Sequence, residues 1–129
     1  MNLDKQKKIL IVEDETSLRT VLVDVLQKQN FSVLEARNGK EGVILSLGEH
    51  PDLILLDIRM PVMGGMEALK EIRKNVWGAK VPVIILTNLS ATNEDLVQDM
   101  VGVRPLYYLI KSDWNIYDVV RKIKEVLEI

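Results

Sequence analysis

Short aliphatic runs alternate with longer amphipathic stretches along the whole chain. The runs are Ile9–Val12, Phe31–Ala36, Leu53–Leu56, Val83–Leu86 and Tyr107–Ile110. Several are continuous rather than alternating, which predicts parallel strands covered on both faces. Between the first two, Leu18, Val21, Leu22, Val25 and Leu26 follow the i, i+3, i+4, i+7, i+8 stripe of a helix facing a core. Ile116, Val119, Val120, Ile123 and Leu127 repeat that stripe near the C-terminus. Weaker versions lie at Val43, Ile44 and Leu47, at Leu69, Ile72 and Val76, and at Leu96, Val97, Met100 and Val101. Five strands alternating with five helices predict an α/β fold with a parallel sheet and right-handed crossovers. No repeat, linker or low-complexity tract interrupts the pattern, so residues 1–129 read as a single domain.

Composition narrows the function classes. Hydrophobic residues make up 47% and charged residues 28%, as in a soluble globular domain. No apolar run is long enough to span a bilayer, and the polar start MNLDKQKK is followed by no secretory signal. Cysteine is absent, which excludes disulfides and cysteine-ligated zinc; with the other features this favours the cytoplasm. The formal net charge is −2, from 17 basic and 19 acidic side chains, with no basic stripe, and aromatic content is 5%. Direct nucleic-acid binding is therefore not expected.

In an open parallel sheet, ligands bind outside the carboxyl ends of the strands. Those ends carry Glu13 and Asp14 after strand 1, Asp57 after strand 3, Thr87 after strand 4 and Lys111 after strand 5. Each has an ordinary local explanation. Asp14 can cap the first helix, Asp57 can open a turn ahead of Pro61, Thr87 can be a plain β-branched strand residue, and Lys111 a solvated charge. Their joint occurrence outweighs these, because every strand end that should supply a site residue supplies a polar one. Three acids together repel, so the cluster calls for a cation. Oxygen donors without a neighbouring His or Cys suit Mg²⁺, with Asp14 and Asp57 as direct ligands and Glu13 acting directly or through water. The single histidine, His50, lies on the approach to strand 3 at the opposite edge of the sheet and reads as a loop residue rather than a ligand.

These residues resemble the response-regulator receiver domains of two-component signalling, including the stand-alone chemotaxis type. The resemblance is carried by "ILIVEDE", "PDLILLDIRMPVMGG", "VPVIILT" and "YYLIK", and covers essentially the whole chain. The acidic pair and the D-x-x-M-P-x-M-x-G turn are together its most specific part. It implies a flavodoxin-like doubly wound (βα)5 domain with a five-stranded parallel sheet in the order 2-1-3-4-5. It further implies that Asp57 is the phosphoacceptor, taking a phosphoryl group from a phosphohistidine on a histidine kinase or histidine phosphotransfer protein. Glu13, Asp14, Asp57 and the backbone carbonyl of Arg59 would hold Mg²⁺. Thr87 and Lys111 would bind phosphoryl oxygens, and Tyr108 would change rotamer with Thr87 on activation. Output would run through the face of helix 4, strand 5 and helix 5 to a downstream protein target. Catalysis would be limited to self-phosphorylation from a phosphodonor and slow autodephosphorylation, not the work of a dedicated metabolic enzyme.

The chain departs from the family pattern at several places. Ser112 follows Lys111 where receivers usually have a cis proline, so a trans bond and a rearranged loop are expected. Trp114 stands one residue beyond the usual aromatic and is read either as filling that pocket or as plain packing. Asn88 replaces a small residue beside the phosphoryl pocket, where it either crowds the site or adds a hydrogen bond. Arg59 and Leu89 occupy positions that tune phosphate lifetime, and an apolar Leu89 predicts slow loss of phosphate. The segment "GVRPLYY" is about two residues longer than usual and adjoins the output face, and Tyr107 rivals Tyr108 as the switch aromatic.

Two other classes stay in view. A binding-only pseudo-receiver would use the same fold without phosphate; Asp57, Asp14, Thr87 and Lys111 argue against it, while Asn88 and Ser112 keep it open. A haloacid-dehalogenase-type phosphatase needs a second aspartate where Thr16 stands. The acids of "EDETSLR" disfavour a flavin phosphate loop, and a Gly-x-Gly-x-x-Gly loop is missing. With the chain ending at Ile129, output is expected through a partner unless the domain is an excised one. A monomer is the default expectation, with dimerisation on phosphorylation left open.

Overall fold

In the computed structural model, residues 6–58, 60, 62–87, 107–110 and 115–129 are described; for Thr87 and Tyr107–Ile110 the description is of the backbone. The strands are β1 (Lys8–Val12), β2 (Ser32–Ala36), β3 (Leu53–Asp57), β4 (Val83–Thr87) and β5 (Tyr107–Ile110). The helices are α1 (Thr16–Lys28), α2 (Gly39–Glu49), α3 (Gly65–Arg73) and, at the C-terminus, α4 (Ile116–Leu127). The helix expected at Leu96, Val97, Met100 and Val101 lies outside the described residues.

All strand pairings are parallel. β1 sits between β2 and β3, and β4 joins β3 to β5. The continuous aliphatic runs split by parity between the two faces of this sheet. Leu10, Val12, Ile54, Leu56, Val83 and Ile85 pack with Met66, Leu69 and Ile72 on one face. Ile9, Ile11, Leu53, Leu55, Ile84 and Leu86 pack with Leu22, Leu26, Val119 and Ile123 on the other. α2 and α3 therefore cover one side, and α1 and α4 the other. Burial on both faces of β1, β3 and β4 explains why these strands carry no alternating polar residues.

Helix starts follow local chemistry. Asn38 Oδ1 accepts the N–H of Glu41 at the start of α2. Asn115 caps α4 reciprocally, accepting from the N–H of Asp118 while its own N–H donates to Asp118 Oδ2. Two expected stripes differ from what the fold buries. In α2 the buried residues are Gly39, Gly42 and Ser46, whereas Ile44 is 62% exposed. The helix lies so close to β1 that a Cβ on Gly42 would stand 2.9 Å from Val12 Cγ2. α3 stops at Arg73, which leaves Val76 exposed beyond it. There Asn75 Oδ1 accepts the N–H groups of Trp77 and Gly78, and Arg73 Nη1 ties the loop through the carbonyls of Gly78 and Val81. Burial holds the Arg73 guanidinium below its ordinary pKa.

His50 is the C-cap of α2, in a left-handed conformation with φ 48°. Its ring stacks on Trp77, with centroids 4.5 Å apart. The neighbouring Asp52 bonds Lys8 at the start of β1, so this contact lies at the edge opposite Asp57. The pair borders a cleft of about 400 Å³ that includes Pro51, Lys80 and Pro82.

Candidate functional site

The carboxyl ends of β1 and β3 bring together Glu13, Asp14 and Asp57. One carboxylate oxygen from each lies within 4.8 Å of the others. Glu13 and Asp57 are buried, at 1% and 6% exposure, while Asp14 is exposed. Buried carboxylates so close together repel one another, so the arrangement favours a positive charge beside them. Its donors are all carboxylate oxygen, which fits a hard divalent cation such as Mg²⁺ better than zinc or copper.

Each acid is placed by backbone. The N–H of Glu13 donates to Ala36 O at 3.0 Å, just beyond the β1–β2 pairing. Glu13 Oε2 accepts the N–H of Glu15 at 3.1 Å, which turns the chain toward α1. The N-cap of α1 is Glu15, with no side-chain capping bond, so Asp14 is not spent on capping that helix. Asp57 is the last residue of β3, in register with Leu86 of β4, and so belongs to the sheet rather than to the turn after it.

That turn is pressed against the site. The N–H of Gly65 donates to Ile58 O at 2.8 Å, and the N–H of Gly39 donates to Met63 O at 2.9 Å. A Cβ on Gly39 would fall 2.4 Å from Met63 O, and one on Gly65 would fall 2.0 Å from Asp57 O. Glycine at both positions lets the turn and the starts of α2 and α3 close over Asp57. Between them Val62, 77% exposed, holds a φ of 70°, a left-handed backbone that β-branched residues rarely adopt. Such strain is found where surrounding structure dictates it, often beside functional sites.

Other expected site residues are placed less fully. Thr87 ends β4 at the same sheet edge as Asp57, and Tyr108 lies within β5, paired with Ile85. Arg59, Asn88, Leu89, Lys111, Ser112 and Trp114 lie outside the described residues.

Arg19, which the apolar stripe passed over, is brought to the site by the fold. It is 9% exposed and aligns with Leu22 and Leu26 on the buried side of α1. Its Nη1 donates to Glu13 O at 2.8 Å and reaches Asp14 O at 3.5 Å, while Nε donates to Glu35 Oε1 on β2 at 3.2 Å. The available signal was a charge three residues before Leu22, on the face meant for the core. Farther out, the backbone N–H and then the guanidinium of Arg37 hold the Glu41 carboxyl below its ordinary pKa.

Comparison with known proteins agrees with this geometry. Residues 9–123 match the response regulator receiver domain, and the chain belongs to that family. It is 40% identical over 80 residues to Protein PilH of Pseudomonas aeruginosa, covering 62% of this chain and 66% of that protein. It is also 40% identical over 88 residues to the probable transcriptional regulator ycf27 of Galdieria sulphuraria, covering 68% of this chain and 33% of that protein. The chain thus spans only about a third of that regulator. Among solved structures, chemotaxis protein CheY4 of Vibrio cholerae superposes with a TM-score of 0.86 at 26% identity, over 95% of this chain and 99% of that one. The receiver domain of the Pseudomonas aeruginosa sensor histidine kinase PA1611, with a magnesium ion coordinated in its active-site cleft, superposes with a TM-score of 0.83 at 27% identity, over 94% and 97%. The fold is therefore the flavodoxin-like α/β fold of CheY, and the chain is a receiver domain of two-component signalling. Among the described residues, no helix is long and apolar enough to cross a membrane.

Proposed function

We propose that this domain is a phosphorylation-gated switch in which Asp57 accepts a phosphoryl group from a phosphohistidine of a histidine kinase or histidine phosphotransfer protein. The observation that carries the reading is the convergence of the Glu13, Asp14 and Asp57 carboxylates at the carboxyl edge of a parallel sheet. Asp57 is the acceptor because a strand end fixes it and the glycine turn packs against its backbone. One of its oxygens forms the bond to phosphorus as the bond to the imidazole nitrogen breaks, and the nitrogen keeps the electron pair.

Phosphoryl transfer asks mainly for positioning and for neutralisation of the phosphoryl oxygens. Glu13, Asp14, Asp57 and the backbone carbonyl of Arg59 are the groups that would hold Mg²⁺. That ion, when bound, supplies positive charge at the phosphoryl oxygens. Lys111 would pair with one of these oxygens and the Thr87 hydroxyl would bond another. Asn88 would either narrow the phosphoryl pocket or add a hydrogen bond to it, and Leu89 would offer no group to position an attacking water. Movement of Thr87 toward the phosphoryl group would free space for Tyr108 to turn inward.

The reading includes the complete (βα)5 arrangement in the order 2-1-3-4-5. The signalling surface is then formed by the predicted helix at Leu96–Val101, β5 and α4, where a downstream protein docks. Action in the cytoplasm as a monomer, without direct nucleic-acid contact, belongs to the same proposal.

The test is intact mass after incubation with Mg²⁺ and acetyl phosphate, beside Asp57→Asn and a chelator-treated sample. Gain of a single phosphoryl group by the wild type, absent from both controls, is the expected result. Equal phosphorylation of Asp57→Asn would place the acceptor elsewhere. A wild type that binds Mg²⁺ yet stays unmodified by both acetyl phosphate and phosphohistidine donors would leave a binding-only domain instead.

A further inference from the structure

Arg19 spans the parts of the fold that meet at the acidic site. It arises from the first turns of α1, reaches back to the carbonyls of Glu13 and Asp14 at the end of β1, and pairs with Glu35 on β2. The groups it grips are the peptide carbonyls of the acids themselves, not their side chains. Glu13 is tied by its N–H to Ala36 and by its carboxylate to the N–H of Glu15. The start of α1 contributes neither a side-chain cap nor an acidic residue in its first turn.

A guanidinium next to a divalent-cation site has opposed effects. Its charge repels the cation, so removing it would tighten binding. Its hydrogen bonds orient the loop that carries the ligands, so removing them would loosen binding. Glu35, in direct contact with Nε, offsets the charge while leaving the Nη1 bond to Glu13 intact. Geometry should then outweigh repulsion.

We propose that Arg19 is a positioning residue for the cation site, setting the peptide planes of Glu13 and Asp14 so that their carboxylates meet that of Asp57. This rests on the reading of the acidic cluster as a Mg²⁺ site. Lysine does not replace arginine here, because a single ammonium cannot serve Glu13 O and Glu35 with the fixed spread of a guanidinium.

The experiment is calorimetric titration of Mg²⁺ into the full chain, for wild type, Arg19→Met and Arg19→Lys, well below each variant's unfolding temperature. Ile72→Val, a cavity change in the opposite core, serves as a destabilised control. Arg19→Met should raise the Mg²⁺ Kd about 10-fold, the size expected when an outer partner of a ligand is lost. Arg19→Lys should stay weakened, and the control should keep the wild-type Kd. An Arg19→Met Kd within twofold of wild type, or tighter, overturns the role, as does full recovery in Arg19→Lys or an equal loss in Ile72→Val. Absence of Mg²⁺ binding in the wild type removes the cation site and this role together, so the two failures are told apart.

Discussion

Gly65 stands directly against the backbone of Asp57: a Cβ on Gly65 would lie 2.0 Å from the Asp57 carbonyl oxygen and 2.9 Å from Ile58 Cα. Neither neighbour is a flexible side chain, so the backbone itself would have to move. Gly65→Ala should therefore destabilise the fold by about 3 kcal/mol, at the upper end of overpacking costs. The movement would be centred on Asp57, so the variant should also lose phosphoryl uptake at temperatures where it is still folded. Urea unfolding and phosphorylation by acetyl phosphate check both. A variant of wild-type stability would mean that the close approach is easily relaxed.

The acidic cluster should cost stability in the absence of metal. With one oxygen each of Glu13, Asp14 and Asp57 within 4.8 Å, and two of these residues buried, mutual repulsion opposes folding. Asp57→Asn removes one charge and keeps the shape, so in chelator it should be more stable than wild type by roughly 1–3 kcal/mol. Bound Mg²⁺ reverses the order: at 100 times its Kd a ligand stabilises by about 2.7 kcal/mol, and the variant should gain little of this. Thermal unfolding with and without Mg²⁺ reads the inversion. An Asp57→Asn protein less stable than wild type in chelator would show that the carboxylate's other contacts outweigh repulsion.

Much of this site was visible before the fold. Continuous aliphatic runs define doubly covered strands, and the strand ends in such a sheet meet at one edge, so Glu13, Asp14 and Asp57 could be grouped from their positions alone. What escaped were features without a side-chain signal. The buried line of α2 is Gly39, Gly42 and Ser46, because a helix approaching β1 this closely must present small residues, and hydrophobicity pointed instead to Ile44. Arg19 was hidden for the opposite reason: its charge removed it from an apolar stripe whose geometry it obeys. Val76 continued the spacing of α3 but lies past the turn at Asn75 that ends the helix.

Val62 provides a prediction of opposite sign to Gly65. Its φ of 70° is unfavourable for a β-branched residue, and at 77% exposure its side chain has little packing to lose. Asparagine tolerates the left-handed region without glycine's extra freedom in the unfolded chain. Val62→Asn should stabilise the domain by about 1 kcal/mol. If the strain helps place the turn beside Asp57, the same variant should phosphorylate more slowly from acetyl phosphate. Urea midpoints and initial rates measure the two effects separately, and a destabilised variant would show that Val62 is held by contacts worth more than its strain.

The stack of His50 on Trp77 joins the end of α2 to the loop before β4, at the edge of the sheet away from Asp57. Ring planes 9° apart and centroids separated by 4.5 Å are favourable geometry for an aromatic pair. His50 also occupies a left-handed backbone, so alanine would mix ring loss with strain, whereas His50→Asn keeps a residue suited to that conformation. A double-mutant cycle with His50→Asn and Trp77→Leu should give a coupling of about 0.5–1.5 kcal/mol. Because the stack lies far from the acidic cluster, Mg²⁺ affinity and phosphoryl uptake should be unchanged in both single variants. Loss of either property would tie this edge to the site, and a coupling near zero would mean that the rings adjoin without contributing to the fold.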